Sequence, residues 1–298
     1  MTPTNLCKLL PILLLPVGAC MGDDTDIDTA EPTALFDDVH PGPGTQVALS
    51  PDLAVLPGAS VDAPIEPPVP DGNPAPAGDA DMAWNGSQWL AVWTDLRGGD
   101  ADIRAAVVSA DGEVDPPAGV LLIGGAGDQH DPKVAWNGGR YLVVYAETRD
   151  DATQVRAARV TADAVVLDPD GFAAGAQMLA SDIHIACNGT SFYAVWQGDC
   201  AMEACPGTIR GQYISSAGAA GPVATLAYKA ALPQIAWNGN DYLVVWNDLG
   251  GVDVDISARI VHADATPGAT TSISARAGDQ ELPVVAASGD RFLVAWRE

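Results

Sequence analysis

From about residue 80 onward, short apolar runs alternate with polar turns at a fixed interval. The clearest unit is Asp131–Tyr145, where Val134-Ala135-Trp136 leads through Asn137-Gly138 into Tyr141-Leu142-Val143-Val144-Tyr145. Related units begin at Trp84-Asn85-Gly86, Cys187-Asn188-Gly189, Trp237-Asn238-Gly239 and Ala287-Ser288-Gly289. Successive starts are separated by 52, 51, 50 and 50 residues. Asn-Gly tolerates the positive φ angles of a tight hairpin, so each unit predicts two strands joined there. The second run is aromatic, β-branched and continuously apolar, which suits a strand buried on both faces.

A second half follows in each full repeat. Ile103–Ser109, Val155–Thr161, Ile209–Ser215 and Ile256–His262 predict a third strand, and Gly119–Gly124 and Thr270–Ala275 a less regular fourth. A period of about 50 residues with four strands per period is one propeller blade. The expectation is an all-β, five-bladed β-propeller of four-stranded antiparallel blades. The last repeat reaches Glu298 after two strands, and Gln46–Asp52 followed by Leu53–Val61 resembles the missing pair. The last blade is therefore expected to be closed by the N-terminal strands, 45–62 joining 282–298, within a single domain spanning 45–298. A Pro-rich stretch, 64–78, holds six prolines and reads as a surface insertion.

The N-terminal region carries an address. Lys8 and the apolar run Leu9–Val17 form an export signal over 1–20, too short to span a membrane. Val17-Gly18-Ala19-Cys20 resembles the lipobox of bacterial lipoproteins, and that resemblance implies lipidation of Cys20. Residues 21–44, with Asp23, Asp24, Asp26, Asp28 and three prolines, read as a flexible acidic tether. The expected location is the bacterial cell envelope, with contact to the membrane through the lipid anchor only.

Charge narrows the partners. The formal net charge is −25. Such a chain repels phosphates, which excludes nucleic acid and anionic lipid as main partners. Of five cysteines, Cys200 and Cys205 share one loop, and export to an oxidising compartment predicts a disulfide between them. Cys187 stands where other repeats have Trp and reads as a buried thiol.

Acids recur after each second strand: Asp95, Asp100 and Asp102; Glu147, Asp150 and Asp151; Asp248, Asp253 and Asp255. Gathered on one rim, Asp100, Asp102, Asp253 and Asp255 are candidate Ca²⁺ ligands, while zinc at the cysteines is disfavoured by the lack of Cys-x-x-Cys spacing and by a lone His184. Arg104, Arg156 and Arg210 recur in register; a carboxylate-binding arginine cluster is one reading, and their periodicity favours a role on the blade surface or in a salt bridge. Gly-Asp-Gln at Gly127–Gln129 and Gly278–Gln280 reads as a structural turn. A glycosidase needs two carboxylates converging on one sugar, and its catalytic acid is expected to break the repeat. No clear exception is evident. No nucleophile elbow, phosphate loop or dinucleotide motif occurs.

The pattern Pro-x-Val-Ala-Trp-Asn-Gly-x-x-Tyr-Leu-Val-Val-Trp resembles tandem propeller-type repeats of secreted bacterial lipoproteins over about residues 80–298. The resemblance implies the fold and export, and no activity. The main expectation is a membrane-anchored, non-enzymatic scaffold that binds a glycan or protein. The alternatives are a glycan-active hydrolase using funnel carboxylates and a calcium-dependent adhesion module.

Overall fold

The computed structural model describes residues 77–150, 152–177, 180–198 and 207–298. They form five antiparallel sheets in sequence order. The first holds β1 (Ala77–Trp84), β2 (Gln88–Asp95), β3 (Asp102–Ser109) and β4 (Val114–Ile123). The second holds β5 (Asp128–Trp136), β6 (Tyr141–Arg149), β7 (Ala152–Val160) and β8 (Phe172–Gln177). The third holds β9 (Ser181–Cys187), β10 (Phe192–Gly198), β11 (Thr208–Ile214) and β12 (Ala220–Tyr228). The fourth holds β13 (Ala230–Trp237), β14 (Asp241–Asp248), β15 (Asp255–His262) and β16 (Pro267–Ser274), and the fifth β17 (Glu281–Ser288) and β18 (Arg291–Arg297). Each sheet is a meander whose strands pair with their sequence neighbours.

The sheets pack face to face in order, a propeller-type arrangement. Alternation along the second strand does this. Tyr141, Val143 and Tyr145 of β6 pack on Leu90, Val92 and Ile103 of the first sheet. Leu142, Val144 and Ala146 of the same strand pack on Phe192, Ala194 and Trp196 of the third. Tyr193 and Val195 meet Tyr242, Val244 and Trp246 of the fourth sheet. Leu243 and Val245 meet Phe292 and Val294 of the fifth. A period of two sends adjacent residues to opposite neighbours, so both sets are buried and the strand reads as one apolar run. Each large side chain so buried contributes about 1.5–3 kcal/mol.

The hairpins differ from expectation in one respect. Gly86, Gly138, Gly189 and Gly239 take positive φ, but the asparagines before them do not. Asn137 works through its side chain: Oδ1 accepts the backbone N–H of Gly139 at 3.0 Å and of Arg140 at 2.9 Å. Asn85, Asn188 and Asn238 do the same. This is an Asx-type turn. Asn137 Nδ2 also donates to Thr190 O in the third sheet, and Asn238 Nδ2 to Asp290 O in the fifth.

Other boundaries also move. β1 begins at Ala77, inside the stretch read as insertion, and β4 begins at Val114 rather than near 119. Gly-Asp-Gln is a structural turn: Asp128 and Asp279 accept N–H groups of Ala101 and Val254, while Gln129 and Gln280 donate to carbonyls of their own turns. The fifth sheet has two strands, and Leu293, whose counterparts Leu90 and Leu142 are fully buried, is 62% exposed. The signal 1–20, Cys20, the tether 21–44, segment 45–62, the insertion up to residue 76, Asp151, Cys200 and Cys205 lie outside the described residues.

Candidate functional site

The first strand of each sheet lies innermost, β1 beside β5, β5 beside β9, β9 beside β13 and β13 beside β17. Its outer edge pairs with the second strand, so its inner edge has no strand partner and its N–H groups need acceptors. Side chains from the preceding sheet supply them. Asp81 Oδ2 accepts the N–H of Val134 at 2.8 Å, and Asp131 Oδ2 that of Ile183 at 3.3 Å.

Each innermost strand is bulged. Asp131, Asp182, Leu232 and Leu282 occupy the same repeat position with φ of 51°, 51°, 52° and 56°, where side chains other than Gly are strained. The bulge N–H is met by the end of the second strand of the preceding sheet. Asp131 N donates to Thr94 Oγ1, Leu232 N to Gln197 Oε1 and Leu282 N to Asn247 Oδ1.

Two residues beyond the bulge, the repeat presents Asp81, Lys133, His184, Gln234 and Val284, all half-buried. These side chains converge from neighbouring strands. His184 Nε2 lies 2.9 Å from Gln234 Nε2, and Lys133 Nζ pairs with Asp131. Asp81 is the one acid at this position. Burial raises its pKa from 3.8 to about 6, against the opposing pull of the Val134 N–H and the Lys133 charge, while Asp131 adds to the rise. Asp81 keeps part of its surface accessible yet is enclosed by protein on most sides, so loss of solvation outweighs its bonds to the backbone N–H groups of Val134 and Met82.

Asp81 is the exception that the sequence was expected to reveal and did not. The signal was present: the aligned position carries Asp, Lys, His, Gln and Val in turn. It lies three residues before the conspicuous Trp-Asn-Gly, where no periodic pattern draws the eye.

The recurring acids behave differently. Asp95 bonds Arg97 at 2.7 Å and Arg104 at 2.6 Å, and Glu147 bonds Arg149 at 2.8 Å and lies 3.4 Å from Arg156. Burial alone would raise the Asp95 pKa, but its two arginines together hold it below the usual value. These pairs lie within their own sheets, as the register of Arg104 and Arg156 suggests. Asp102, Asp253 and Asp255 are half-buried and Asp100 exposed. Asp253 accepts the N–H of Gly278 in a neighbouring turn. The structure does not gather the four into a calcium site: among the described residues, no group of three or more His, Cys, Asp or Glu is placed to hold a metal ion. Asp100 and Asp102 belong to the first sheet, Asp253 and Asp255 to the fourth, so the repeat keeps the two pairs apart.

Cys187 is half-buried, not fully buried, and packs against the core between the second and third sheets. Burial pushes its thiol up to about 11, against a bond from the Gly189 N–H, which leaves it protonated and unreactive at neutral pH.

No family model and no curated protein matches the sequence. Solved structures do. The α-L-arabinanase of Penicillium chrysogenum, complexed with arabinobiose, is 12% identical with a TM-score of 0.48, over 74% of each chain. The catalytic domain of the GH62 α-L-arabinofuranosidase of Coprinopsis cinerea is 11% identical with a TM-score of 0.43, over 76% of this chain and 82% of that one. The subtype N10 neuraminidase-like protein of A/little yellow-shouldered bat/Guatemala/060/2010 is 9% identical with a TM-score of 0.45, and the match covers 65% of this chain and 58% of that one. The expectation of a scaffold without catalysis is corrected on the chain's own residues. It rested on the absence of an exceptional carboxylate, and Asp81 is one.

Proposed function

We propose that the protein is a glycan-active hydrolase whose reacting groups lie at the inner face of the propeller, with Asp81 as general acid and Asp131 as the second carboxylate. The observation that carries this reading is Asp81, whose proton is retained up to about pH 6 at a position where the other sheets have Lys133, His184, Gln234 and Val284. Glycoside hydrolysis uses one carboxylic acid with a raised pKa and one carboxylate across the same sugar. Asp81 gives its proton to the glycosidic oxygen as the bond to the anomeric carbon breaks. Asp131, paired with Lys133, supports the positive charge that develops on the sugar ring; water then adds to the anomeric carbon and gives its proton to the Asp81 carboxylate, restoring the acid. His184 and Gln234, joined at 2.9 Å, offer hydrogen bonds to sugar hydroxyls.

The test is release of reducing ends from a panel that includes arabinan, levan and sialylated glycans. Wild-type protein is expected to act on at least one, with an optimum near or below pH 6. Asp81→Asn is expected to lose about 10²–10⁴ of the rate while staying folded. Absence of release across the panel, or an active Asp81→Asn, overturns the assignment.

The same proposal includes a five-bladed ring closed by residues 45–62 on β18, export by the signal 1–20, lipidation at Cys20, an acidic tether over 21–44 and a Cys200–Cys205 disulfide. The lipobox-like residues, and a β18 that pairs with β17 alone among the described residues, support it. The hydrolase would thus work at the bacterial cell envelope, held to the membrane by lipid alone. With a net charge of −25 it has no nucleic-acid partner.

A further inference from the structure

Between the third and fourth sheets lies a groove of about 310 Å³, lined in part by Thr225, Tyr228, Trp246, Asp248, Arg259 and Thr270. Its arginine breaks the repeat. The first three sheets carry Arg104, Arg156 and Arg210 at a position where the fourth has Ser257. Arg259 stands two residues later, where the others have Ala106, Ala158 and Gln212. The displacement changes its partners. Asp248, the counterpart of Asp95 and Glu147, takes Ser257 Oγ at 2.8 Å and the N–H of Gly250 at 3.0 Å instead of a guanidinium. Arg259 Nη2 donates to Thr270 Oγ1 at 2.8 Å, its Nε is buried without a partner, and it joins no ion pair among the described residues.

Beside this guanidinium, Tyr228 is 73% exposed. An exposed ring in the same groove as a guanidinium that joins no ion pair among the described residues, with hydroxyls from Thr225 and Thr270, matches a particular ligand. We propose that the groove binds a carboxylated sugar, a uronic acid unit of a glycan. Its carboxylate meets Arg259, its ring lies on Tyr228, and its hydroxyls reach Thr225, Thr270 and Asp248. The guanidinium fork suits a planar carboxylate, whereas a neutral sugar leaves the buried donor unmet. The groove is of a size for a small ligand. The site is separate from Asp81 and does not depend on hydrolysis there.

The test is calorimetric titration of the full chain with glucuronic and galacturonic acids, with glucose, galactose and acetate as controls. A uronic acid is expected to bind at least tenfold more tightly than its neutral counterpart and than acetate. Arg259→Gln is expected to abolish that preference, Arg259→Lys to restore part of it, and Tyr228→Ala to weaken the uronic acid at least tenfold. Asp81→Asn is expected to bind normally, which separates this site from the hydrolase reading. Equal binding of neutral sugar or acetate, no binding up to millimolar uronic acid, or an Arg259→Gln variant that keeps the preference with an unchanged Tm overturns the proposal.

Discussion

Replacing Asp81 by Asn tests the inner site by stability as well as by activity. In the folded protein the carboxyl titrates near 6, against an ordinary 3.8. The folded state therefore holds this proton more tightly than the unfolded chain. Below about pH 3.8 both states are protonated and the group adds no pH-dependent term. Between 3.8 and 6 the unfolded chain ionises first, so stability falls as pH rises. Above 6 the full cost is present. The gap between 3.8 and 6 corresponds to about 3 kcal/mol. Asp81 is only half-buried, and water screens part of this, which sets the expectation at about 1–3 kcal/mol. Asn carries no charge at any pH and keeps an oxygen for the Val134 N–H. Urea denaturation followed by tryptophan fluorescence should find Asp81→Asn more stable than wild type by about 1–3 kcal/mol at pH 8 and within about 0.5 kcal/mol at pH 4. A difference that is the same at both pH values, or a loss of stability at pH 8, refutes the burial argument. Stabilisation together with inactivity is the expected outcome for a functional carboxylate whose charged form is desolvated, and a purely structural one would not give it.

Two further substitutions probe the repeat itself. Asn137→Ala removes the acceptor for two backbone N–H groups and the bond to Thr190 O, and thermal or urea unfolding should show a loss of about 2–3 kcal/mol, with Asn137→Asp recovering part of it. Gly119→Ala places a Cβ against the Trp93 ring at φ 64°, so a loss of about 2–4 kcal/mol is expected. Combining it with Trp93→Phe should recover at least about 1 kcal/mol, a non-additivity that identifies the overlap as the cause.

The strands were legible because their signals are local. A Tyr-Leu-Val-Val run can bury both faces only between two other layers, and Asn-Gly can only turn, so period and composition alone set the strand order and the packing of sheet on sheet. The salt-bridging role of the arginines was equally legible, since Arg104 and Arg156 recur at one strand position and each lies diagonally across a hairpin from an acid, Asp95 or Glu147.

What the sequence by itself determined about this protein is therefore the repeating β-unit, its hairpins and its layered core. Only the tertiary structure decided which polar residues meet. Asp81, Lys133, His184 and Gln234 lie about 50 residues apart in the chain and come together because the inner edges of neighbouring sheets adjoin. The same stacking places Arg259 in a groove between two sheets, where it joins no ion pair among the described residues. Charge and solvation act through space, so the raised pKa of Asp81 and the unpaired guanidinium of Arg259 exist only once separate repeats are packed side by side.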